Sequence, residues 1–370
     1  MAADRFVVRV SSERYMRFVL LGFAASVTLT RVYLQMTGYP KLGSGDLHIA
    51  HMLWGGLLLF AALLLVLLFT TRNALTVASV AGGVGVGLFI DEVGKFITAT
   101  NDYFYPPAAP IIYVIFLLTV FLYLQVRRLQ RQTPREEMYA ALELMAEVLE
   151  HDLEPHEQAD MIHRLQFVAA QSERPDLARL ASVLLDYLHS DALSLVERPP
   201  TFAQRITQRV YAWQERWLKR PQFKTLLICG LCLTALPALV DGAVLFVAAS
   251  SGINTQDALV ARLSALGLLK SPNDLVWLLA LTGADGLLSI LLLVAAILLF
   301  IGKEARGILL TQVSLLAALT AVNVLVFYFD QFQAIAVALI QYLLLNGAVR
   351  YRRRYLAPQT AKALPPRAAA

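Results

Sequence analysis

Long apolar stretches constrain the fold of this chain more than any other feature of its sequence. A helix needs about 20 consecutive, mainly apolar residues to cross the hydrocarbon core of a bilayer. Eight stretches approach or exceed this length, some interrupted by one ionisable residue: 18–37, 48–70, 74–98, 110–126, 225–249, 275–301, 307–328 and 331–349. Because lipid offers no partner to backbone polar groups, each stretch is predicted to be a helix. The sequence therefore predicts an all-α, polytopic helical membrane protein with about eight transmembrane helices.

The charged residues are concentrated between the fourth and fifth apolar stretches. Residues 127–224 contain 14 basic and 15 acidic side chains, about half of the 32 basic and 27 acidic side chains in the whole chain. Charged residues make up 16% of the chain, against about 25% in soluble domains. This distribution excludes a soluble enzyme, a disordered chain and a nucleic-acid-binding protein. It predicts one water-soluble segment between two groups of four spans.

The predicted organisation has four parts. These are an N-terminal membrane half at 1–126, a cytoplasmic helical segment at 127–223, a C-terminal membrane half at 224–350 and a basic tail at 351–370. Apolar residues recur with helical period at 136–150, 157–171 and 175–189, which predicts three helices in the cytoplasmic segment. Residues 202–219 mix arginine with tyrosine and tryptophan. They predict a helix at the membrane surface or, alternatively, a solvated linker.

Basic residues mark one side of the predicted membrane topology. They lie at the N-terminus and in every second loop, at Arg72, Arg127, Arg128, Arg131, Arg220, Lys224, Lys303, Arg306, Arg350, Arg352, Arg353 and Arg354. The opposite loops contain only Lys41, Arg262 and Lys270. The positive-inside rule therefore predicts that both termini and the segment 127–223 are cytoplasmic. We expect an uncleaved first span and a multi-pass protein of a bacterial-type plasma (inner) membrane.

Short similarities suggest an internal repeat. Residues 68–72 resemble 299–303, and residues 125–128 resemble 348–352, at corresponding span ends. A repeat with this polarity predicts two halves related by an axis along the membrane normal. The alternative is chance similarity between apolar helices.

Ionisable residues inside the apolar stretches give the main functional signal. Such residues are costly in lipid and usually face a protein interior or a water-filled cavity. The helical rise places them in one layer, roughly 21–30 Å from the basic ends of their spans. The predicted ligand-binding residues are Arg31, Asp91, Glu92, Lys95, Asp241 and Asp285. The alternative is that these side chains extend separately to water at the outer edge of the membrane.

The densest part of this layer is Asp91, Glu92 and Lys95. On one continuous helix, Lys95 would lie three and four residues from the two acids, so one acid would neutralise it. Arg31 of the first span is then the predicted partner of the other acid. Asp241 and Asp285 lack a cation in their own half. We therefore predict a site between the two halves that binds or translocates a small polar or charged solute.

Two histidines permit a metal-site hypothesis. His48 and His51 have the i, i+3 spacing of one helix face. With Glu92 or Asp91 from the neighbouring span, they could hold Zn²⁺ and leave one coordination position open. That arrangement predicts a metal-dependent hydrolase acting on a lipid or lipid-linked substrate at the outer leaflet. Alternatively, the histidines form hydrogen bonds with the outer loops.

The remaining motifs favour packing roles. Gly83 and Gly87 have the spacing that allows close approach of membrane helices, and Cys229 and Cys232 lie within an apolar stretch. A non-enzymatic solute-binding or transport protein is the leading functional hypothesis, and a non-catalytic sensor or assembly subunit is a further alternative. The predicted partners are the lipid bilayer, a small solute or lipid, and a protein that contacts the cytoplasmic segment. No nucleic-acid partner is predicted.

Overall fold

The computed structural model describes residues 7–38, 50–99, 105–128, 133–190, 193–196, 205, 208–209, 219–250 and 274–356. Within these ranges, all regular secondary structure is helical. Eight helical segments are long and apolar enough to cross a membrane. The predicted all-α fold with eight potential spans is therefore confirmed, and it is compatible with a multi-pass membrane protein. The proposed surface helix at 202–219 and the tail from residue 357 lie largely or wholly outside the described residues.

Four spans precede the charged segment. The helices in this part are α1 (Ser12–Thr37), α2 (His51–Leu68), α3 (Arg72–Asp91), the short α4 (Val93–Ile97) and α5 (Ala108–Arg128). Helix α3 makes the most extensive contacts, because both α1 and α2 pack against it. It is therefore the central helix of the first three spans.

The third span is shorter than the sequence predicted. One continuous helix was expected over 74–98, but α3 ends at Asp91 and α4 begins at Val93. Glu92 lies between them with φ −88° and ψ 7°. Its carboxylate accepts a hydrogen bond of 3.0 Å from the backbone N–H of Met52, in the first turn of α2. Asp91 and Lys95 therefore do not share one continuous helix, and Glu92 accepts from an N–H group at the start of α2 that has no partner within its own helix.

Four further spans follow the charged segment. They comprise α9 (Arg220–Ser250), α10 (Asp274–Phe300), α11 (Glu304–Ala317), a π-helical segment (Ala318–Val322), α12 (Asn323–Phe329) and α13 (Gln331–Tyr351). Helix α11, the π-helical segment and α12 form one span. Leu231, Ala295, Leu299 and Leu315 are fully buried in the core that these helices share. A π-helical turn at Arg352–Leu356 extends α13.

The three helices predicted in the charged segment are confirmed. They are α6 (Pro134–Leu149), α7 (Pro155–Gln171) and α8 (Pro175–Leu188), and each begins with proline, a residue favoured in the first helical turn. Their own core contains Met138, Met161, Leu165, Ala181 and Leu188. The predicted apolar face of α8 is only partly buried, because Leu180 and Val183 are exposed.

Ion pairs attach these three helices, predicted to be soluble and called the soluble helices below, to span ends of the same unit. Arg72 Nη1 lies 2.9 Å from Glu147 Oε1 of α6 and 3.0 Å from Glu157 Oε1 of α7. Arg127 Nε, near the end of α5, lies 3.3 Å from Glu13 Oε1 at the start of α1. The beginning of α1, the beginning of α3, the end of α5 and the soluble helices therefore lie at one end of this unit, which we call the Arg72 end.

The chain forms two compact units. The described residues of one fall within 1–93 and 115–205, and those of the other within 94–114 and 206–369. The third span is central to the packing in the first unit, whereas the second unit has its most extensive contacts around α10, its second span. This difference gives no support to the predicted repeat. The boundaries at 126/127 and 223/224 and the two four-span halves stay predictions.

Candidate functional site

Small residues bring α1 and α3 into close backbone contact. A Cβ atom at Gly22 would lie 3.0 Å from a backbone carbonyl oxygen of α3. A Cβ atom at Gly83 would clash with the backbone of Val19, and one at Gly87 would clash with Ser26 Oγ. The structure thus confirms the close helix packing predicted from Gly83 and Gly87.

A second glycine contact joins α2 to the same central helix. A Cβ atom at Gly55 would lie 2.7 Å from Phe89 N and 2.8 Å from Gly85 O. A Cβ atom at Gly85 would in turn lie 2.9 Å from Gly55 O. Helices α1 and α2 therefore both lie so close to α3 that any side chain at these glycine positions would require a shift of the backbone.

These contacts bring Arg31 and Asp91 together one helical turn beyond Gly87. Arg31 Nε donates a hydrogen bond of 2.5 Å to Asp91 Oδ1. The two residues are only 6% and 1% exposed. The structure therefore confirms the predicted pairing of Arg31 with one of the two acids. Charge-assisted hydrogen bonds of this kind are among the strongest in proteins.

His51 lies between the two acids, one helical turn before Gly55. Its Nε2 atom is 3.3 Å from Asp91 Oδ2, and its Nδ1 atom is 3.7 Å from Glu92 Oε2. Glu92 is 2% exposed, and it also accepts the Met52 N–H described above. Arg31, His51, Asp91 and Glu92 thus form one group from three helices and the residue after α3, which we call the ionic cluster.

The ionic cluster lies far from the Arg72 end. The helical rise from Arg72 to Asp91 corresponds to about 28 Å, close to the thickness of a hydrocarbon core. Of its four side chains, His51 is the most accessible at 21% exposed, against 6% for Arg31, 2% for Glu92 and 0% for Asp91.

The chemistry of the ionic cluster suits recognition of a polar group. A guanidinium supplies fixed donors, carboxylates supply acceptors, and an imidazole can donate or accept according to its protonation. The His51 ring nitrogens lie 3.3 Å and 3.7 Å from the acids Asp91 and Glu92, so the ring faces one acceptor on each side.

Two of the other predicted ligand-binding residues belong to the second unit, and the side chain of the third lies outside the described part of the structure. Lys95 is half-buried on α4, in the second unit, and Asp285 is half-buried on α10. Asp241 belongs to α9, and its side chain lies outside the described part of the structure. The predicted site between the two halves stays a prediction.

The metal-site hypothesis also stays a prediction. His48 lies outside the described residues, and the described helix α2 begins three residues later, at His51. Within the described ranges, no group of three or more histidine, cysteine, aspartate or glutamate side chains could hold a metal ion. His51 and Glu92 do approach each other, so two of the three predicted ligands are close together.

Sequence reasoning missed a second polar group, in the second unit. Asn323 Nδ2 donates to Gln341 Oε1 at 2.9 Å, and both side chains are buried. The Tyr113 hydroxyl donates to the Leu319 carbonyl oxygen at 2.6 Å. Leu319 belongs to the π-helical segment, a deformation that frequently occurs at functional sites. Polar residues in apolar stretches were visible in the sequence, but their pairing depends on how α12 packs against α13.

Comparison with known proteins adds no family assignment. Neither protein-family models, nor curated proteins, nor solved structures gave a match to this chain. The ionic cluster therefore provides the main indication of function.

Proposed function

We propose that this chain is a multi-pass plasma-membrane protein that binds a small polar or charged solute at an outward-facing ionic cluster. The main observation in support is the position of His51, whose two ring nitrogens face the buried acids Asp91 and Glu92. Arg31 forms an ion pair with Asp91. Burial of charged groups is costly unless they are paired. Such groups within spans usually mark a binding site or an ion pathway.

The proposed outward orientation rests on the basic residues. They lie mainly at the termini, in the charged segment and in the loops that the positive-inside rule assigns to the cytoplasm. The cluster lies about 28 Å from Arg72 along α3. It would therefore face the outer side of a bacterial-type plasma membrane, with both chain termini in the cytoplasm.

Binding is better supported than free passage of the solute. Gly22, Gly83 and Gly87 close the α1–α3 interface below the cluster, and Gly55 and Gly85 close the α2–α3 interface. A solute crossing at either interface would need α1 or α2 to move away from α3. Translocation is thus a proposal that requires a second conformation, whereas binding requires access to His51.

Ligand-dependent stabilisation tests the proposal. Purified protein in detergent would be heated with glycine, acetate, ammonium, inorganic phosphate or sodium as separate probes. A probe that binds the native state raises the unfolding free energy by about 2.7 kcal/mol at one hundred times its Kd. We expect at least one probe to raise the melting temperature of the wild type and to have a much smaller effect on His51→Gln.

His189→Gln is the matched control, because His189 is exposed at the end of α8. It should respond to the same probe as the wild type. Equal stabilisation of wild type and His51→Gln would contradict a role for the cluster in binding. No stabilisation by any probe would favour a structural role, as in a sensor or assembly subunit.

A zinc-dependent hydrolase is the second candidate function. The observation that favours it is the approach of His51 Nδ1 to Glu92 Oε2, with His48 as the third predicted ligand. Bound zinc would supply an activated water molecule for hydrolysis of a lipid or lipid-linked substrate. One zinc per chain by elemental analysis, lost in His51→Gln and retained in His189→Gln, would favour this function over simple solute binding.

We propose that the soluble helices form a docking surface for a protein partner. Several of their large apolar side chains are exposed, including Tyr139, Leu142, Leu149 and Val183. Leu149 is 84% exposed. The ion pairs of Arg72 with α6 and α7 fix this surface relative to α3, so a bound partner would act on the same unit that contains the ionic cluster.

A further inference from the structure

Three span ends of the second unit meet at one carboxylate. Glu304, the first residue of α11, lies 2.8 Å from Arg220 Nη2 and 3.4 Å from Lys224 Nζ, at the start of α9. The Tyr351 hydroxyl, at the end of α13, donates a hydrogen bond of 2.9 Å to the same carboxylate. The starts of α9 and α11 and the end of α13 therefore lie together. We call the surface formed by residues 219–224, 301–307 and 348–356 the basic face.

The basic face carries a large excess of positive charge. Its three segments contain three, two and four lysine or arginine residues, respectively, and Glu304 is the one acidic residue in their sequences. A single carboxylate can neutralise only one of these charges. Lys303, Arg306, Arg352 and Arg353 are exposed, so an anion from outside the chain can reach them.

This excess distinguishes the basic face from the Arg72 end of the first unit. At that end, glutamates from three helices meet the basic residues, because Arg72 contacts α6 and α7 and Arg127 contacts Glu13. The positive-inside rule explains why basic residues lie at both ends, but it does not require their charge to stay unbalanced. The excess at the basic face therefore favours a partner that brings negative charge.

Exposed apolar side chains border the basic face. Phe300 and Ile301, shortly before Lys303, are 78% and 55% exposed, and Leu226, two residues after Lys224, is 57% exposed. In a membrane, these apolar side chains would contact acyl chains. The neighbouring basic side chains would extend to the polar headgroups, as lysine and arginine do near the ends of membrane helices.

Aromatic and amide groups hold several of the guanidinium groups in place. The Tyr355 ring centroid lies 5.8 Å from Arg220 Cζ and 5.3 Å from Arg354 Cζ, within the range of cation–π contacts. Arg352 Nη1 donates to Gln312 Oε1 at 3.3 Å. Guanidinium groups recognise phosphate through paired, charge-assisted hydrogen bonds. The geometry therefore suits phosphate groups next to hydrocarbon.

We propose that the basic face binds the headgroup phosphates of anionic phospholipids, with their acyl chains against Phe300, Ile301 and Leu226. An anionic phospholipid brings both a phosphate for the guanidinium groups and hydrocarbon for the apolar border. A nucleic acid or an acidic protein surface matches the charge but not this border. The proposal rests on the membrane location of the chain and is independent of solute binding at the ionic cluster.

Lipid titration of delipidated protein tests the proposal. Phosphatidylglycerol or phosphatidylcholine with the same acyl chains would be added in detergent, and bound lipid per chain would be measured by native mass spectrometry. We expect the wild type to bind phosphatidylglycerol more tightly, because choline offsets the phosphate charge of phosphatidylcholine. Arg353→Gln should weaken the binding of phosphatidylglycerol about five-fold, the effect of one basic group at a membrane surface.

Arg179→Gln is the matched control, because it removes the same charge from an exposed position of α8. It should bind phosphatidylglycerol as the wild type does. Equal affinity of the wild type for the two lipids would overturn the proposal, as would equal binding of phosphatidylglycerol by Arg353→Gln and Arg179→Gln. Inorganic phosphate should compete weakly, because it has no acyl chains. If it displaced phosphatidylglycerol at equal concentration, the basic face would be a site for free phosphate, and the assignment to lipid would be wrong.

Discussion

At the scale of single residues, burial distinguishes two ion pairs of equal length. Arg31 to Asp91 and Arg174 to Asp176 both have a shortest N···O distance of 2.5 Å. The first pair is almost fully buried, whereas the side chains of the second are 68% and 64% exposed. Exposed pairs contribute little to stability because water screens them, while breaking a buried pair leaves an uncompensated charge.

We therefore predict strong coupling between Arg31 and Asp91. Arg31→Gln and Asp91→Asn should each lower the free energy of unfolding, by up to about 3–5 kcal/mol for removing one partner of a buried pair. The double variant should be more stable than the sum of the two losses predicts, with an interaction free energy of about 1–2 kcal/mol. Unfolding of the four proteins in mixed micelles would measure this cycle.

The matched control for that cycle is the exposed pair. Arg174→Gln and Asp176→Asn should leave the unfolding midpoint essentially unchanged, singly and together. Strictly additive effects of Arg31→Gln and Asp91→Asn would show that the two side chains reach water separately. The ionic cluster would then have no energetic basis.

At the scale of helices, two adjacent glycines of α2 should respond differently to the same substitution. A Cβ atom at Gly55 would lie within 2.8 Å of two backbone atoms of α3, whereas a Cβ atom at Gly56 would meet nothing within 4 Å. Gly55→Ala should therefore destabilise the protein by about 1–3 kcal/mol through overpacking. Gly56→Ala should be neutral or stabilising, because alanine favours a helix over glycine.

The same pair of variants tests how α2 positions His51. Forcing α2 away from α3 should displace His51 from Asp91 and Glu92, so Gly55→Ala should also weaken the solute-dependent rise in melting temperature. Gly56→Ala should keep that rise. A Gly55→Ala protein as stable as the wild type would show that the two helices are not held by this contact.

Sequence periodicity and charge were sufficient to predict the helices, but they did not predict how the helices bring the site residues together. The lengths of the apolar stretches predicted eight spans. The helical rise placed Arg31 and the two acids at similar distances from the basic span ends, and their opposite charges predicted the pairing. The break at Glu92 was missed, because it depends on the Met52 N–H of another helix. The close contact of Gly55 with Gly85 was missed as well, because one glycine shows no spacing pattern, although this contact lies one helical turn from His51.

At the scale of the whole molecule, the ion pairs of each unit agree with a simple topology. In the first unit, Arg72 contacts α6 and α7, and Arg127 contacts Glu13. The start of the first span therefore lies beside the end of the fourth, as expected when the chain crosses four times. In the second unit, Glu304 at the start of α11 lies 2.8 Å from Arg220 and 3.4 Å from Lys224, at the start of α9. Each set of contacts joins helix ends that lie beside the basic loops, which the positive-inside rule predicts to be cytoplasmic.

Cysteine labelling in intact cells provides the test of this topology. In a background with Cys229→Ser and Cys232→Ser, single cysteines would replace Ser44, Asn101, Gly252, Gln171 or Lys303, one per variant. An impermeant maleimide should label the first three from outside, because the loops that hold them are poor in basic residues. Variants at Gln171 and Lys303 should react only after the membrane is permeabilised, because cytoplasmic loops retain the basic residues. Labelling at Gln171 from outside would place the soluble helices on the other face, and would move the ionic cluster from the outer to the cytoplasmic side of the membrane.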